Sequence, residues 1–149
     1  MVIRDWSSDV CSSDLIMPVL PTRHISIAID RPVEEVYGFL ADPMNFPKWA
    51  EGLGGEFVHV EGMTYHAKTP MGRMRVMFSE PNRYGVLDHA VIPDHGAPMH
   101  NPMRTLANGS GSEVMFTLFR RPEMTDDEFA RDAEWVAADL ARLKALLES

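Results

Sequence analysis

The chain has 149 residues, a formal net charge of −8, 45% hydrophobic residues and one cysteine. This length suits a single domain, which buries about two-thirds of the surface that its unfolded chain exposes. The acidic balance argues against a nucleic-acid-binding protein, the single cysteine excludes an internal disulfide, and the apolar runs are shorter than the ~18 residues of a membrane span.

The N-terminal residues differ from the rest of the chain, because two near-repeats, WSSDV and CSSDL, follow each other with no helical or strand period. Residues 2–15 resemble a translated sequencing-adapter sequence, and a native disordered tail would have the same Ser/Asp-rich composition. We expect residues 1–16 to be a non-native or disordered tail and residues 17–149 to form one domain, with Met17 as a candidate start. Cys11 lies in the tail and is a poor catalytic candidate.

A strand and two helices are predicted to open the domain. Isoleucines alternate over residues 23–29, which is typical of a half-buried strand. Pro32 then marks the start of a helix. Asp42 and Pro43 end this helix and begin a short second one over residues 44–50. The apolar residues of the first helix recur at helical spacing: Val33, Val36, Tyr37 and Leu40.

The central part of the chain is predicted to form an antiparallel meander. Short turns rich in Gly, Pro and Asn separate its strands, whereas parallel strands would need long crossovers. Six strands are expected, over residues 56–61, 63–69, 72–80, 85–92, 98–107 and 112–120.

A long helix of about 22 residues is predicted to end the domain. Thr125 and Glu128 have the spacing of a capping box at its start. We expect the helix to pack across the sheet, and a coiled-coil partner helix is the alternative. Its apolar residues form one continuous seam: Phe129, Ala133, Val136, Leu140, Leu143 and Leu147.

The segments PVEEVYGFL (residues 32–40) and PMNFPKW (residues 43–49) resemble the opening of the SRPBCC superfamily, which includes START-like domains and the polyketide cyclase/dehydrase group. With the order of elements, the resemblance covers residues 23–148. It implies an α+β helix-grip fold, β-α-α-β6-α, in which a curved antiparallel sheet of about seven strands wraps around the long C-terminal helix. It also implies a deep apolar cavity between them for lipids, polyketides, sterols or other apolar ligands, and some members are enzymes.

The alternation of side chains along each strand predicts which residues face the interior. Strand 85–92 is ambiguous, and we assign the face with the bulkier side chains to the interior, which places His89 inside and Asp88 outside. The predicted interior residues are Met63, Tyr65, Ala67, Met74, Val76, Phe78, Leu87, His89, Val91, Met99, Asn101, Met103, Thr105, Ala107, Val114, Phe116 and Leu118.

Several interior positions are candidate ligand contacts. His89 offers a base or a hydrogen-bonding group, and Tyr65 offers a phenolic donor, although both are also explained as core residues. Phe46 and Trp49 form a cavity lid or simply seal the short helix onto the sheet. The candidate contacts are Phe46, Trp49, Tyr65, Met74, Phe78, His89, Met103, Thr105, Phe116, Phe129 and Val136.

Three functions are compatible with the sequence. The first is binding of an apolar small molecule between the sheet and the C-terminal helix. The alternative is a cyclase or dehydratase with His89 and Tyr65 as acid/base groups, and the second alternative is a protein-interaction domain without a ligand. No phosphate loop, dinucleotide fingerprint, nucleophile elbow or metal-ligand spacing is present, so no cofactor or metal is expected. Without targeting signals we expect a cytoplasmic protein, and its oligomeric state is left open.

Overall fold

The computed structural model describes residues 18–53 and 55–149, so the predictions for residues 1–16 lie outside the described residues. Its helices are α1 (Val33–Ala41), α2 (Phe46–Trp49) and α3 (Asp126–Glu148), and 3-10 turns cover Pro43–Asn45 and Glu51–Leu53. Its strands are β1 (Thr22–Ile29), β2 (Phe57–Glu61), β3 (Thr64–Thr69), β4 (Gly72–Phe78), β5 (His89–Pro93), β6 (Met99–Asn101), β7 (Met103–Asn108) and β8 (Gly111–Phe119).

The strands form a curved antiparallel surface in two hydrogen-bonded parts, with the orders β1-β8-β7 and β2-β3-β4-β5-β6. Pro102 lies at the junction and divides the predicted strand 98–107 into β6 and β7, which explains why eight strands replace the expected seven. Proline has no N–H to donate to the ladder, so it interrupts regular pairing there. β6 pairs with β5, whereas β7 pairs with β8.

The segment before β5 also differs from the prediction, because regular pairing starts at His89 instead of residue 85. The side chain of Asn82 organises this loop, as its Oδ1 accepts hydrogen bonds from the Tyr84 and Val86 amides at 2.9 and 3.1 Å. Two backbone bonds still join the loop to β7, from the Leu87 amide to the Met103 oxygen and from the Thr105 amide to the Gly85 oxygen. The loop therefore continues the curved surface without being a regular strand.

Helix α3 begins at the predicted capping box and packs against β1 and β8. The Thr125 hydroxyl accepts from the Glu128 amide at 3.1 Å, and the Glu128 carboxylate accepts from the Thr125 amide at 2.9 Å. Within the described ranges, no helix is long and apolar enough to cross a membrane. The seam faces the sheet as predicted, with Phe129, Ala133, Leu140 and Leu143 buried and Val136 and Leu147 partly buried.

Helices α1 and α2 cover the sheet beside α3. Val36 and Leu40 are the buried residues of α1, which packs over β7 and β8. The Asp42 carboxylate caps the following 3-10 turn by accepting from the Met44 amide at 3.0 Å, as the Asp-Pro pair predicts. The predicted helix over residues 44–50 is divided between this turn and the single turn of α2.

The predicted strand faces agree with the burial of the side chains in β3, β4, β5 and β8. The face chosen for the ambiguous strand is confirmed, since Leu87, His89 and Val91 are buried and Asp88 is exposed. The prediction for Ala107 is wrong. This residue is exposed, one position before β7 ends at its hairpin with β8, and alternation alone does not predict where along a strand the cover stops.

Candidate functional site

A small void lies between the helices α1 and α2 and the inner face of the sheet. Its volume is about 20 Å³, which is the room that a single water molecule needs and far below the 300 Å³ or more of a typical ligand pocket. In the part of the chain that the structure describes, this void is therefore far smaller than the deep cavity that the family resemblance implies. The lining residues are Tyr37, Leu40, Ala41, Phe46, Trp49, Phe78, Ser79, Val86, Leu87, His89 and Met103.

Aromatic rings fill the space that a larger cavity would occupy. The Phe46 ring lies at the centre, with centroid distances of 5.2 Å to Trp49, 5.2 Å to Phe78 and 5.1 Å to His89, each in an edge-to-face arrangement. Phe46 and Trp49 come from α2, so one short helix supplies two of the rings that close the void. The rings pack α2 onto the sheet and also line the void, and their role as a lid stays a prediction.

His89 is the buried titratable group at this void. Burial lowers the pKa of its imidazole from 6.5 to about 4, and the weaker hydrogen bond with Leu87 acts in the opposite direction. The imidazole is therefore neutral at physiological pH. Asp88 is not its partner, because the Asp88 carboxylate points outward and accepts from the Met103 amide at 2.9 Å.

The protonation of the two ring nitrogens follows from the backbone. Nδ1 of His89 lies 3.3 Å from the carbonyl oxygen of Leu87, which can only accept, so Nδ1 carries the proton. Nε2 then carries a lone pair and has no hydrogen-bond partner among the described residues. The imidazole thus offers an acceptor in a wall that is mostly apolar.

Tyr65 does not share the void with His89. Its ring stacks on Phe57 at 5.1 Å and meets Phe78 edge-to-face at 5.6 Å. The Phe78 ring also lies 6.0 Å from His89, and so contacts both candidate acid/base groups from an intermediate position. The structure does not bring the two together around one reacting centre.

The eleven predicted contacts fall into three groups. Five line the void: Phe46, Trp49, Phe78, His89 and Met103. Four are buried in the interior away from its lining: Tyr65, Met74, Thr105 and Phe116. The other two lie on α3, where the Arg23 guanidinium covers the ring of Phe129 at 5.2 Å and Val136 is partly buried.

The void is bounded by α1 and α2, and no residue of α3 is among its lining residues. This differs from the expected cavity against the C-terminal helix. The α3 seam packs directly onto the sheet, so little space is left between them. Thr105 lies on β7, and within the described part of the chain its Oγ1 is buried without a hydrogen-bond partner.

Two polar residues at the void were not among the predicted contacts. The Tyr37 hydroxyl oxygen accepts from the Asn82 amide at 2.8 Å, which leaves its proton free to be donated. The Ser79 hydroxyl lies 3.4 Å from the Val86 oxygen. Tyr37 belongs to the apolar stripe of the first helix, which already indicated that it faces inward. Ser79 was predicted in the strand 72–80 on the face opposite Phe78, but the strand ends at Phe78 and Ser79 lines the void from the loop that follows.

The comparisons with solved structures identify the fold. Protein XoxI from Bacillus cereus has a TM-score of 0.69 and 16% identity, and the match covers 87% of this chain and 97% of that chain. A START superfamily protein from Mycobacterium smegmatis has a TM-score of 0.69 and 10% identity, with 85% and 97% covered. DynU16, a protein in the dynemicin biosynthetic locus, has a TM-score of 0.66 and 14% identity, with 86% and 47% covered.

No protein-family model and no curated protein matches the chain. At these sequence identities the structural matches show the fold alone, which is a START-like helix-grip with a curved antiparallel sheet and a long C-terminal helix. The fold that the sequence resemblance implied is confirmed at this level.

Proposed function

We propose that this START-like domain binds a small, largely apolar molecule that carries a hydroxyl group, in the space between α1, α2 and the sheet. The observation that carries the proposal is the combination of an aromatic lining with the acceptor nitrogen of the buried His89. Ligand sites commonly combine an apolar wall with a few polar groups that set orientation. DynU16, which has this fold, is encoded in the dynemicin biosynthetic locus, which supports a role in handling small organic molecules.

The chemistry of His89 favours a hydroxyl over a carbonyl on the ligand. Nδ1 already donates to the Leu87 oxygen, so Nε2 can accept a hydrogen bond from a ligand but cannot donate one. A phenol or enol supplies such a donor, whereas a ketone or an ether does not. The low pKa of about 4 keeps this acceptor neutral over the physiological range.

Binding requires the site to open. A void of about 20 Å³ admits no organic ligand, so Phe46 and Trp49 must move away from the sheet before or during binding. The free energy of this opening is subtracted from the contact energy, so the apparent affinity is lower than that of an open pocket with the same lining. We therefore expect micromolar or weaker binding of small probes.

The test compares two probes that differ in one donor, 2-naphthol and 2-methoxynaphthalene. Titration calorimetry with the unmodified chain is expected to give a dissociation constant about 3- to 10-fold lower for 2-naphthol, the range that a net hydrogen bond contributes. In the His89→Phe variant, which keeps an aromatic ring at this position, that preference is expected to disappear. Because the two probes differ in hydrophobicity, the ratio of their dissociation constants in His89→Phe is the reference for the ratio in the unmodified chain.

Two results would contradict the proposal. One is that neither naphthalene probe binds and native mass spectrometry detects no small molecule that copurifies with the chain. The other is that the ratio of the two dissociation constants is the same in the unmodified chain and in His89→Phe, because His89 would then not contact the hydroxyl.

A further inference from the structure

Arg142 of α3 makes three hydrogen bonds, one to the short helix α2, one to the turn that follows α2 and one within α3. Nη1 donates to the carbonyl oxygen of Trp49 at 2.8 Å and to Asp139 Oδ1 at 2.9 Å, and Nη2 donates to Glu51 Oε2 at 2.9 Å. Trp49 is the last residue of α2, so its carbonyl has no partner within its own helix. The guanidinium of another helix supplies that partner and anchors the residue whose indole closes the void.

Two further contacts join the turn after α2, at Glu51 and Gly52, to α3. Asp139 Oδ1 accepts from the Glu51 amide at 3.3 Å in addition to Arg142. The indole of Trp135 lies against Gly52, 3.4 Å from where a β-carbon on that residue would be. These three α3 side chains, spaced by four and three residues, share one helix face, and that face contacts the end of α2 and the turn that follows it.

The opposite wall of the void is the loop before β5, and hydrogen bonds within the loop itself hold it in place. Asn82 organises it with hydrogen bonds within the loop, donating from Nδ2 to the Glu80 and Val86 oxygens and accepting at Oδ1 from the Tyr84 and Val86 amides. The Tyr37 hydroxyl adds a bond to the Asn82 amide from α1. This wall is a closed local network, so it resists opening.

The α2 side packs through the buried rings of Phe46 and Trp49, whereas its ion pair with α3 lies at the surface. The side chains of Arg142 and Glu51 are 35% and 70% exposed, and exposed ion pairs exchange readily with water. The segment over residues 43–51 begins at Pro43 and ends just before Gly52. A hydrogen bond from Asn45 Nδ2 to the Phe39 oxygen, at 2.9 Å, joins it to α1. Of the two walls, the segment 43–51 is therefore the one that can leave the sheet with fewer hydrogen bonds broken.

We infer that Arg142 is a positioning residue that keeps the segment 43–51 closed and thereby sets the rate at which a ligand enters the void. The inference rests on the proposed function for its ligand, but the closing itself is a property of the ligand-free protein. Among the described residues, the one hydrogen bond of Arg142 to a lining residue goes to the backbone oxygen of Trp49, so we expect it to act on access and not on the contacts made with a bound molecule.

The test is amide hydrogen exchange by NMR on the ligand-free chain. The Ala50 amide, which donates to the Phe46 oxygen at 2.9 Å, reports opening of α2, and the Lys68 amide, which donates to the Glu56 oxygen, reports the sheet. Arg142→Met is expected to accelerate exchange at Ala50 about tenfold, as charge-assisted bonds are lost, and to leave Lys68 unchanged. Arg142→Lys is expected to be intermediate, because an ammonium keeps the positive charge but lacks the planar fork with which the guanidinium reaches Trp49 and Glu51 together.

Lys144→Met is the matched control. It removes another α3 cation with hydrogen bonds to the Ala28 oxygen and to Glu148, away from the segment 43–51. Equal exchange at Ala50 in Arg142→Met and Lys144→Met would overturn the inference. Acceleration of Lys68 together with Ala50 would also overturn it, because general destabilisation would then explain the result.

Stopped-flow binding of 2-naphthol separates this inference from the proposed function. A several-fold faster association in Arg142→Met, in parallel with exchange at Ala50, supports the inference. An unchanged association rate despite faster exchange overturns the role in ligand access. If 2-naphthol binds to none of the variants but Arg142→Met still accelerates exchange of the Ala50 amide, the proposed function is contradicted. The closing role of Arg142 is then still supported.

Discussion

His89 shows how one buried side chain links the candidate site to stability. Its pKa of about 4 in the folded chain lies below the ordinary value of 6.5 because burial disfavours the charged imidazole. The unfolded chain therefore binds a proton more readily than the folded chain between these two pH values. Stability is highest above pH 6.5 and falls as the pH decreases through this window.

The pH dependence of unfolding should reveal this effect. We expect the free energy of unfolding to fall by about 2–3 kcal/mol between pH 7 and pH 4.5 from His89 alone. The change should be missing in His89→Phe, which cannot take up a proton, and present in His95→Gln, which alters an exposed histidine. Urea denaturation at both pH values measures it. Equal losses in all three proteins would show that His89 is not the responsible group.

At the scale of elements, α3 depends on the spacing of its apolar residues. Leu143 is completely buried, and Leu146, three residues further along, is 42% exposed. The Leu143→Ala variant should lose about 2–5 kcal/mol of unfolding free energy through lost contacts and the cavity left behind. Leu146→Ala, the matched control, should lose less than about 1 kcal/mol. Similar losses in urea denaturation would contradict the observed orientation of α3.

The strands illustrate the same relation between spacing and structure. The alternation of side chains correctly predicts that Tyr65, Val76 and Val114 are buried, because in a strand successive residues point to opposite sides. The interruption at Pro102 was not predicted, although the missing N–H of proline is a signal for it. Whether a proline bends a strand or lies at its edge depends on which neighbours the strand meets.

At the scale of the whole molecule, the two parts of the sheet are joined where β7 passes the loop before β5. Gly85 has φ of +72°, and a β-carbon there would collide with the carbonyl oxygen of Thr105. This backbone approach brings Leu87 and Met103 together through the bond from the Leu87 amide to the Met103 oxygen, and both residues line the void.

The substitution Gly85→Ala tests this joint. Gly62 provides the control, since it has a φ of +52° and open space within 4 Å of where a β-carbon would be. Gly62→Ala should cost about 1–2 kcal/mol of unfolding free energy for the left-handed backbone alone. Gly85→Ala should cost at least about 1 kcal/mol more, because the backbone must also move away from Thr105. Thermal unfolding of both variants measures the difference, and equal costs would rule out the close approach.

Local spacing along the chain is enough to predict the order of the elements, the capping box of α3 and the inward faces of most strands. Each depends on residues within a few positions of one another, such as Thr125 and Glu128, so the spacing along the chain is sufficient. The family resemblance added the helix-grip arrangement, which the matches to solved structures support.

The space left inside the fold depends on contacts between distant residues, which spacing along the chain does not predict. Phe46, Phe78 and His89 come from different parts of the chain, and their rings meet within 5.1–6.0 Å. Periodicity predicts that a side chain is buried, but not which distant side chain it is buried against. The resulting packing reduces the expected deep cavity to about 20 Å³ and places it against α1 and α2 instead of α3.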